Sequence, residues 1–553
     1  MTPSQTSTYD LIHDPWVPCR GRDGTVTELG ILRTLERAHE LVGLSGDVPT
    51  QTFVLTRLLL AVLHGALDGP RSVEDWDELW SEEELPVARI ASYLAQHRER
   101  FDLFHSETPF LQVAGLRTAK NETSELSKLI ADVPNGVPFF STRQGGDLSL
   151  SFAEAARWLV HCHAFDPSGI RSGVIGDKRA KNGKSYPIGV AWSGLLGGLL
   201  LEGATLQETL LLNLVAAEFD GWSRDVAADR PVWERPPVTA AEELDGGRPP
   251  TGPVDLYTWQ SRRVRLVAEG GRVTRVVISN GEKLTPQNMY RHELQTAWRR
   301  SEAQEKKPGV TGRVYMPREH DPDRAVWRGL ESLLPGVSSR QRNMGGPYLS
   351  PGILDWLSHL SVEESIPRNH EVRVRAIGMV YGSNSSVVDD IVHDALALPT
   401  LLARQDARHL ADAVRARVRD AESAVNAVGG LAGDLAAAAG GDGSGPRNRT
   451  RERVYALLDS RFREWLLTVR PSEDGTDPDI ERLRATWHRT VAEIVVRSAR
   501  ELLADIPPAC WEGRRVGTQA VFTAAHAETK FWKALREAVP AAFRPETDED
   551  EAA

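Results

Sequence analysis

The feature that most constrains the fold is the change of pattern at Asp389, after which long helical periodicities rich in Ala, Leu and Val dominate the chain. Segments with this pattern, separated by Gly- and Pro-rich breaks, are 389–428, 451–469, 479–503 and 518–539. They predict a four-helix bundle over 389–545, with one long glycine-rich connection at 440–446 and two shorter connections. The acidic tail, 546–553, is predicted to be disordered.

Residues 1–388 mix helical and strand patterns. Apolar side chains recur at helical spacing over Thr50–Leu67 and Leu150–Phe165. The β-branched run within Val264–Ile278 is interrupted by Gly270-Gly271, which predicts a hairpin, and a second tight turn is expected at Asn280–Leu284. The predicted fold class is therefore α+β, with a large mixed α/β N-terminal domain followed by the four-helix bundle.

Bulk composition limits the classes of function. The formal net charge is −11, so any nucleic-acid contact must come from a local basic face. Three scattered cysteines fit a reducing compartment, and the N-terminus lacks the pattern of a signal peptide. The most apolar early run, Phe53–Leu67, contains Arg57 and His64 and is too short to span a bilayer. A cytoplasmic protein without a membrane partner is expected.

One stretch, Asp166–Gly189, combines glycines with five Lys and Arg side chains; we call it the basic loop. Glycine allows a backbone to approach a ligand closely, and the interleaved charges attract phosphate. An ordinary solvated surface loop is an equally good interpretation of this stretch alone. The candidate contacts to backbone phosphates are Lys178, Arg179, Lys181 and Lys184.

Other chemistries fit the sequence poorly. Gly183-Lys184-Ser185 resembles the end of a phosphate-binding P-loop, but position 178 is Lys where that motif needs Gly, and a helix rather than a strand precedes the loop. His161-Cys162-His163 has no second ligand pair at zinc spacing. No catalytic constellation stands out, so we predict a binding protein with no catalytic residues, metal or cofactor. A P-loop-like nucleotide-binding enzyme stays as the alternative.

Several blocks resemble one known family. The opening YDLIHDPWVPC, the segment Phe104–Gln112 and the segment Pro250–Arg263 are similar, in the same order, to the CasA family, the large subunit of the type I-E CRISPR Cascade complex. None of these blocks is a catalytic signature. The resemblance implies a non-catalytic subunit of an RNA-guided surveillance complex and a C-terminal four-helix bundle.

The resemblance also implies three DNA-contacting elements. Part of the basic loop matches the family's glycine loop, which approaches the protospacer-adjacent motif (PAM) from the minor groove; the implied contacts are Gly169, Arg171, Ser172 and Gly173. Lys283 matches a lysine finger that enters the same groove. Asn384, Ser385 and Ser386 match a wedge that starts strand separation, with Ser385 at a position where many members carry Gln.

The remaining implied roles concern partners. Phe139 and Phe140 lie in the region that matches a loop docking near one end of the CRISPR RNA. The implied partners are double-stranded target DNA, CRISPR RNA, the other Cascade subunits and the CRISPR helicase-nuclease. The implied function is PAM recognition, local unwinding with R-loop formation, and recruitment of that nuclease. A structural RNA-binding scaffold is the other alternative.

Overall fold

The computed structural model describes residues 8–133, 148–334, 346–367, 370–404, 406–472, 476–515 and 521–544. The described chain divides into two compact units. The first holds the described residues up to Arg324, those from 346 to Ile366, and Val372–Ala395. The second holds the described residues of Ala325–Gly336 and Pro367–Glu371, and those from Leu396 onward.

Helices occur in both units. In chain order they are α1 (Ile31–Glu36), α2 (Pro49–Leu67), α3 (Val73–Ser81), α4 (Val87–Gln96), α5 (Phe152–Phe165), α6 (Leu206–Asn213), α7 (Pro253–Tyr257), α8 (Glu302–Glu305), α9 (Leu330–Leu333), α10 (Gly352–Val362), α11 (Arg408–Ala438), α12 (Ser444–Leu466), α13 (Ile480–Ala504), α14 (Ala509–Glu512) and α15 (Ala524–Ala538).

The strands form small antiparallel sheets. In chain order they are β1 (Val17–Arg20), β2 (Val26–Leu29), β3 (Gly43–Leu44), β4 (Arg171–Ser172), β5 (Lys184–Ser185), β6 (Gly198–Glu202), β7 (Glu218–Phe219), β8 (Trp222–Ser223), β9 (Arg262–Glu269), β10 (Arg272–Asn280), β11 (Trp298–Arg300), β12 (Tyr315–Pro317), β13 (Tyr348–Leu349), β14 (Glu371–Tyr381), β15 (Val388–Pro399), β16 (Arg514–Arg515) and β17 (Val521–Phe522). Three-stranded sheets have the orders β2-β1-β3, β12-β11-β13 and β15-β14-β6, and the other strands pair two by two as β4–β5, β7–β8, β9–β10 and β16–β17.

The core of the first unit is built around α2, which packs against α4, α5 and α7. This helix is long and apolar enough to cross a membrane, but 83% of its most apolar window is buried inside the protein, as in a core helix. Its Arg57 is also buried, and forms an ion pair at 2.9 Å with Glu293. The helix predicted over Thr50–Leu67 is confirmed.

The described residues of the second unit include four long helices, with α11 in contact with α12, α13 and α15. The predicted fold class, α+β with a C-terminal helical region, is confirmed.

Several details were wrong. The glycine-rich connection is shorter than the other two, 467–479 and 505–523, although it was predicted to be the long one. The helix predicted from 518 begins at Ala524, because Val521–Phe522 form β17. Residues 389–399 belong to β15 rather than to the first long helix, which begins at Arg408. The connection predicted at 440–446 is observed at 439–443. Gly440 follows the end of α11 with a φ of +88°, a conformation common just after a helix. Helix α12 begins before Pro446, because proline is tolerated in the first turn of a helix.

Three elements of the first unit place the candidate site. Helix α5 starts with a reciprocal capping box between Ser151 and Glu154, and it delivers the chain into the basic loop. The predicted hairpin is confirmed as β9–β10. The expected tight turn after it was wrong: Gly281 and Glu282 donate backbone hydrogen bonds to Ser261 and Gln260, so the pairing continues past Asn280. The third element is the turn 382–387, which joins β14 to β15.

Candidate nucleic-acid interface

The two ends of the basic loop are held together by one buried arginine. Arg262, the first residue of β9, is 1% exposed and donates to the carboxylate of Asp166 and to the carbonyls of Asp166, Pro167 and Gly189. Arg171 adds bonds of 2.6 Å to the Asp166 carboxylate and 2.7 Å to the Pro167 carbonyl. We call these five residues the neck of the loop. The neck fixes where the loop begins and ends.

Inside the loop, the backbone folds tightly on itself. Strands β4 and β5 pair, and the N–H of Gly173 donates to the carbonyl of Gly183 at 2.9 Å. A Cβ at position 173 would lie 2.8 Å from the carbonyl carbon of Gly183 and 2.8 Å from the nitrogen of Lys184. Gly183 has a φ of +71°. Glycine at these two positions therefore serves the loop's own fold.

Arg179 fastens the middle of the loop to the end of β10. Its guanidinium contacts the carboxylates of Asp177 and Glu242, and donates to the carbonyls of Asn280 at 3.1 Å and Gly281 at 3.0 Å. In return, the side-chain amide of Asn280 donates to the Tyr186 carbonyl at 2.7 Å. These bonds place the loop beside the segment that carries Lys283.

Lys283 is exposed, and it follows Glu282, whose N–H donates to the Gln260 carbonyl at 3.0 Å. The neighbouring Glu282 is 2% exposed, pairs with Arg263, and accepts from the backbone N–H of Glu243. Successive residues of an extended chain point to opposite sides. Since Glu282 is anchored inside, Lys283 is directed to solvent.

The turn 382–387 touches the beginning of the basic loop. The N–H of Ser168 donates to the carbonyl of Ser385 at 2.8 Å. The hydroxyl of Tyr381 donates to the Phe165 carbonyl at 2.7 Å. Asn384 and Ser385 adopt left-handed backbone conformations, with φ of 55° and 53°. Asn384 and Ser386 are exposed, while Ser385 is half-buried.

The structure thus joins the three predicted segments, which are far apart in sequence. The basic loop contacts the turn 382–387 at Ser168 and the segment before Lys283 at Arg179. Gly169 lies one residue beyond Ser168, and Ser172 is half-buried in β4. Within the described residues, all the predicted DNA-contacting positions therefore belong to one connected region.

The positive charges of this region fall into two sets. Lys178, Lys181 and Lys184 are exposed, and no carboxylate of the described residues pairs with them. The guanidinium groups of Arg171 and Arg179, in contrast, are engaged in the hydrogen bonds and ion pairs described above. A contact between either arginine and nucleic acid stays a prediction, and it would require exchange of these partners.

Sequence reasoning missed the residues that hold the site together, namely Asp166, Arg262 and Asn280. One signal was available. Arg262 and Arg263 are consecutive in a strand, so their side chains point to opposite faces, and both are buried. A buried guanidinium needs an anionic partner, so two separate acidic partners could have been expected. Nothing in the sequence identifies those partners as Asp166 and Glu282.

The alternative chemistries lose support from the geometry. Lys184 and Ser185 form strand β5, whereas a P-loop places these residues at a helix N-terminus. His161 and His163 are buried and bonded to Thr50 and to the Leu111 carbonyl, and burial lowers the pKa of the two imidazoles to about 3 and about 4. No cluster of three metal-ligating side chains occurs in the part of the chain that the structure describes.

The predicted RNA-docking residues, Phe139 and Phe140, lie outside the described residues. Their role stays a prediction.

Comparison with known proteins gives consistent matches. The model of the family described as CRISPR-associated protein Cse1 matches residues 10–498. The CRISPR-associated protein CasA/Cse1 of Thermus thermophilus is 33% identical over 401 residues, which is 71% of each chain. The Thermobifida fusca Cse1 structure superposes with a TM-score of 0.88 at 46% identity, covering 97% of this chain and 99% of that one. For Acidimicrobium ferrooxidans Cse1 the TM-score is 0.81 at 30% identity, with the same coverages.

Proposed function

We propose a function for this chain on the basis that it belongs to the CasA/Cse1 family, the large subunits of type I-E CRISPR Cascade. In this proposal the chain reads the PAM in double-stranded target DNA through the three joined segments. In this role it binds, opens the adjacent base pairs and lets the guide RNA invade, without catalysing a reaction itself. Protein contacts then read the short motif while base pairing reads the long sequence.

The observation that carries the proposal is the pair of hydrogen-bonded links made by the basic loop. Ser168 ties the loop to the turn that carries Asn384, and Arg179 ties it to the segment that carries Lys283. The three segments resemble a glycine loop, a wedge and a lysine finger, and these functions require the segments to lie side by side. Links between residues roughly a hundred or more positions apart are unexpected for unrelated surface loops.

The electrostatics support a nucleic-acid ligand. The chain carries a net charge of −11, yet the loop presents Lys178, Lys181 and Lys184 to solvent without acidic partners in the described residues. These ammonium groups suit phosphate contacts, which position a duplex without reading its sequence. Lys283 is assigned to the minor groove, where readout is degenerate and suits a short, tolerant motif.

The turn 382–387 is assigned to strand separation. Asn384 is exposed and can hydrogen-bond to a base edge or phosphate, and Ser385 and Ser386 stand beside it. A left-handed backbone at two consecutive non-glycine residues is held by the flanking hairpin, and such conformations concentrate at functional sites. Opening the first base pairs starts the R-loop.

The other partners follow from the place of the family in Cascade. CRISPR RNA and the neighbouring subunits complete the particle, with Phe139 and Phe140 assigned to the RNA end and the helical second unit to the small subunits. The helicase-nuclease is recruited by the first unit after the R-loop has formed.

Affinity measurements on the assembled complex test this function. Lys283→Ala is expected to lower the ratio of affinities for PAM and non-PAM duplexes by about tenfold, the size of one lost groove contact. Lys307→Ala removes an exposed lysine of the same unit outside the three segments, so it should leave the ratio unchanged. If the ratio is the same in wild type and Lys283→Ala, the site assignment is wrong. Crosslinking of the loop lysines to RNA without dependence on the PAM would favour the scaffold alternative.

A further inference from the structure

The basic loop exposes apolar surface as well as charge. Among the described residues, eleven large apolar side chains are exposed, and three of them lie in this loop: Ile170, Ile175 and Tyr186. Single exposed apolar residues are common on protein surfaces. Three such side chains in one glycine- and lysine-rich loop are a concentration that the charge of the loop does not explain.

Ile170 differs from the other two in its position. It is 56% exposed and stands two residues after Ser168, whose N–H is bonded to the carbonyl of Ser385. On its other side, Arg171 reaches back to the Pro167 carbonyl and the Asp166 carboxylate. Residues 168–170, which we call the loop tip, thus lie between the bonded neck residues Pro167 and Arg171, and Ile170 is exposed there.

The other two exposed side chains are anchored elsewhere. The N–H of Ile175 donates to the carbonyl of Arg117 at 3.0 Å. The carbonyl of Tyr186 accepts from Asn280, close to the Lys283 segment. Of the three, Ile170 is therefore the one closest in the chain to Ser168, the loop residue whose N–H is bonded to the Ser385 carbonyl.

We propose that Ile170 is an apolar wedge that inserts between base pairs beside the PAM and helps to separate the strands. This inference rests on the proposed function, and it assigns part of the strand opening to the loop tip. Proteins that bind the minor groove frequently insert Ile, Leu, Phe or Met between base steps, which unstacks the bases and kinks the duplex.

The small size of Ser385 is the reason why a second inserting side chain is needed. A serine covers little of a base-pair face, so the turn 382–387 alone provides weak stacking against the first exposed pair. Ile170 provides an exposed branched apolar surface two residues from Ser168, which is bonded to that turn, on backbone held at both sides. Because the tip is already fixed, little ordering is needed when the wedge enters the duplex.

The test measures strand opening by the assembled complex. The target duplex carries 2-aminopurine at the first base pair beside the PAM, and a second duplex has mismatches there, so that it is already open. Ile170→Ala is expected to slow opening of the paired duplex by about tenfold, because most of the inserted apolar surface is lost. Binding of the mismatched duplex should stay at the wild-type level. Ile175→Ala, which removes a similarly exposed isoleucine of the same loop, should match wild type on both duplexes.

Two further variants sharpen the result. Ile170→Leu keeps the bulk and should open the paired duplex at the wild-type rate. Adding Ser385→Gln to Ile170→Ala should restore much of the lost rate, because a longer side chain then fills the wedge position.

The outcomes separate this inference from the proposed function. If Lys283→Ala loses PAM discrimination while Ile170→Ala opens the paired duplex at the wild-type rate, the wedge is overturned and the function stands. If Lys283→Ala keeps full discrimination, the proposed function itself fails. If Ile170→Ala weakens assembly with the other subunits, or binding of both duplexes equally, Ile170 packs against a protein surface and the wedge is also overturned.

Discussion

The arginines at the neck of the basic loop and the lysines along its outer part carry the same charge in opposite environments. Arg262 and Arg171 are buried and share the carboxylate of Asp166. Lys178, Lys181 and Lys184 are exposed. A planar guanidinium can satisfy several carbonyls and a carboxylate at once, whereas an ammonium is strongly hydrated and remains at the surface. The arginines therefore hold the loop together, whereas the lysines face solvent, and we propose them as the contacts to a ligand.

The largest expected effect comes from breaking the neck. Arg262→Met leaves Asp166 buried with one cationic partner fewer, and it removes the donor to the carbonyls of Asp166, Pro167 and Gly189. Removing one member of a buried ion pair typically costs about 3–5 kcal/mol. We expect the local opening free energy of the loop, measured by amide hydrogen exchange over 166–189, to fall by about that amount.

The control is Arg272→Met on the same hairpin, where the arginine side chain is half exposed. It should lower the local opening free energy of the loop, measured in the same way, by less than about 0.5 kcal/mol. Similar exchange in both variants would show that the neck does not hold the loop.

A smaller effect is expected from the glycines inside the loop. Gly173→Ala places a Cβ against the backbone of Gly183 and Lys184, which cannot move independently of β5. Such overpacking costs about 1–3 kcal/mol and should weaken the β4–β5 pairing, seen as faster exchange of the amide at position 173, which donates to the Gly183 carbonyl. Gly169→Ala is the matched control, because a Cβ there meets only the Arg171 guanidinium at 3.6 Å. Equal effects of the two substitutions would contradict the close backbone approach.

The smallest effect on stability is expected at the lysines. Replacing Lys178, Lys181 and Lys184 by Gln should leave the exchange of the loop almost unchanged. In the assembled complex it should weaken binding of PAM and non-PAM duplexes by the same factor, and reduce the salt dependence of binding by roughly one phosphate contact per lysine. A change in the PAM ratio instead would mean that the lysines take part in reading the motif.

The sequence predicted those elements whose pattern is local. The apolar spacing of α2 and α5 and the Gly270-Gly271 hairpin were found where expected. Strand β15 was missed because its residues Ala395, Leu396 and Leu398 also suit a helix. Its pairing with β14 decides the conformation, and that pairing is a tertiary contact which propensity does not reveal.

The candidate site was predictable in part for the same reason. Glycine and lysine content marks the loop, and resemblance to a family marks Lys283 and the turn 382–387. The roles of Arg179 and Arg262 were not predictable, because their partners are distant in the chain. Asp166 and Arg262 are 96 residues apart, and Arg179 meets Gly281 across 102 residues. Only the folded structure shows which charges are already neutralised.

The most direct test of the account is a density map of the assembled complex bound to a PAM duplex. We predict that the minor groove beside the PAM faces the loop tip, with the Lys283 ammonium roughly 3 Å from base edges and the lysines of the loop on phosphates. Arg262 should keep its bonds to Asp166. A duplex bound elsewhere, or Arg262 turned outward onto the DNA, would contradict the division of the loop into charges that build and charges that bind.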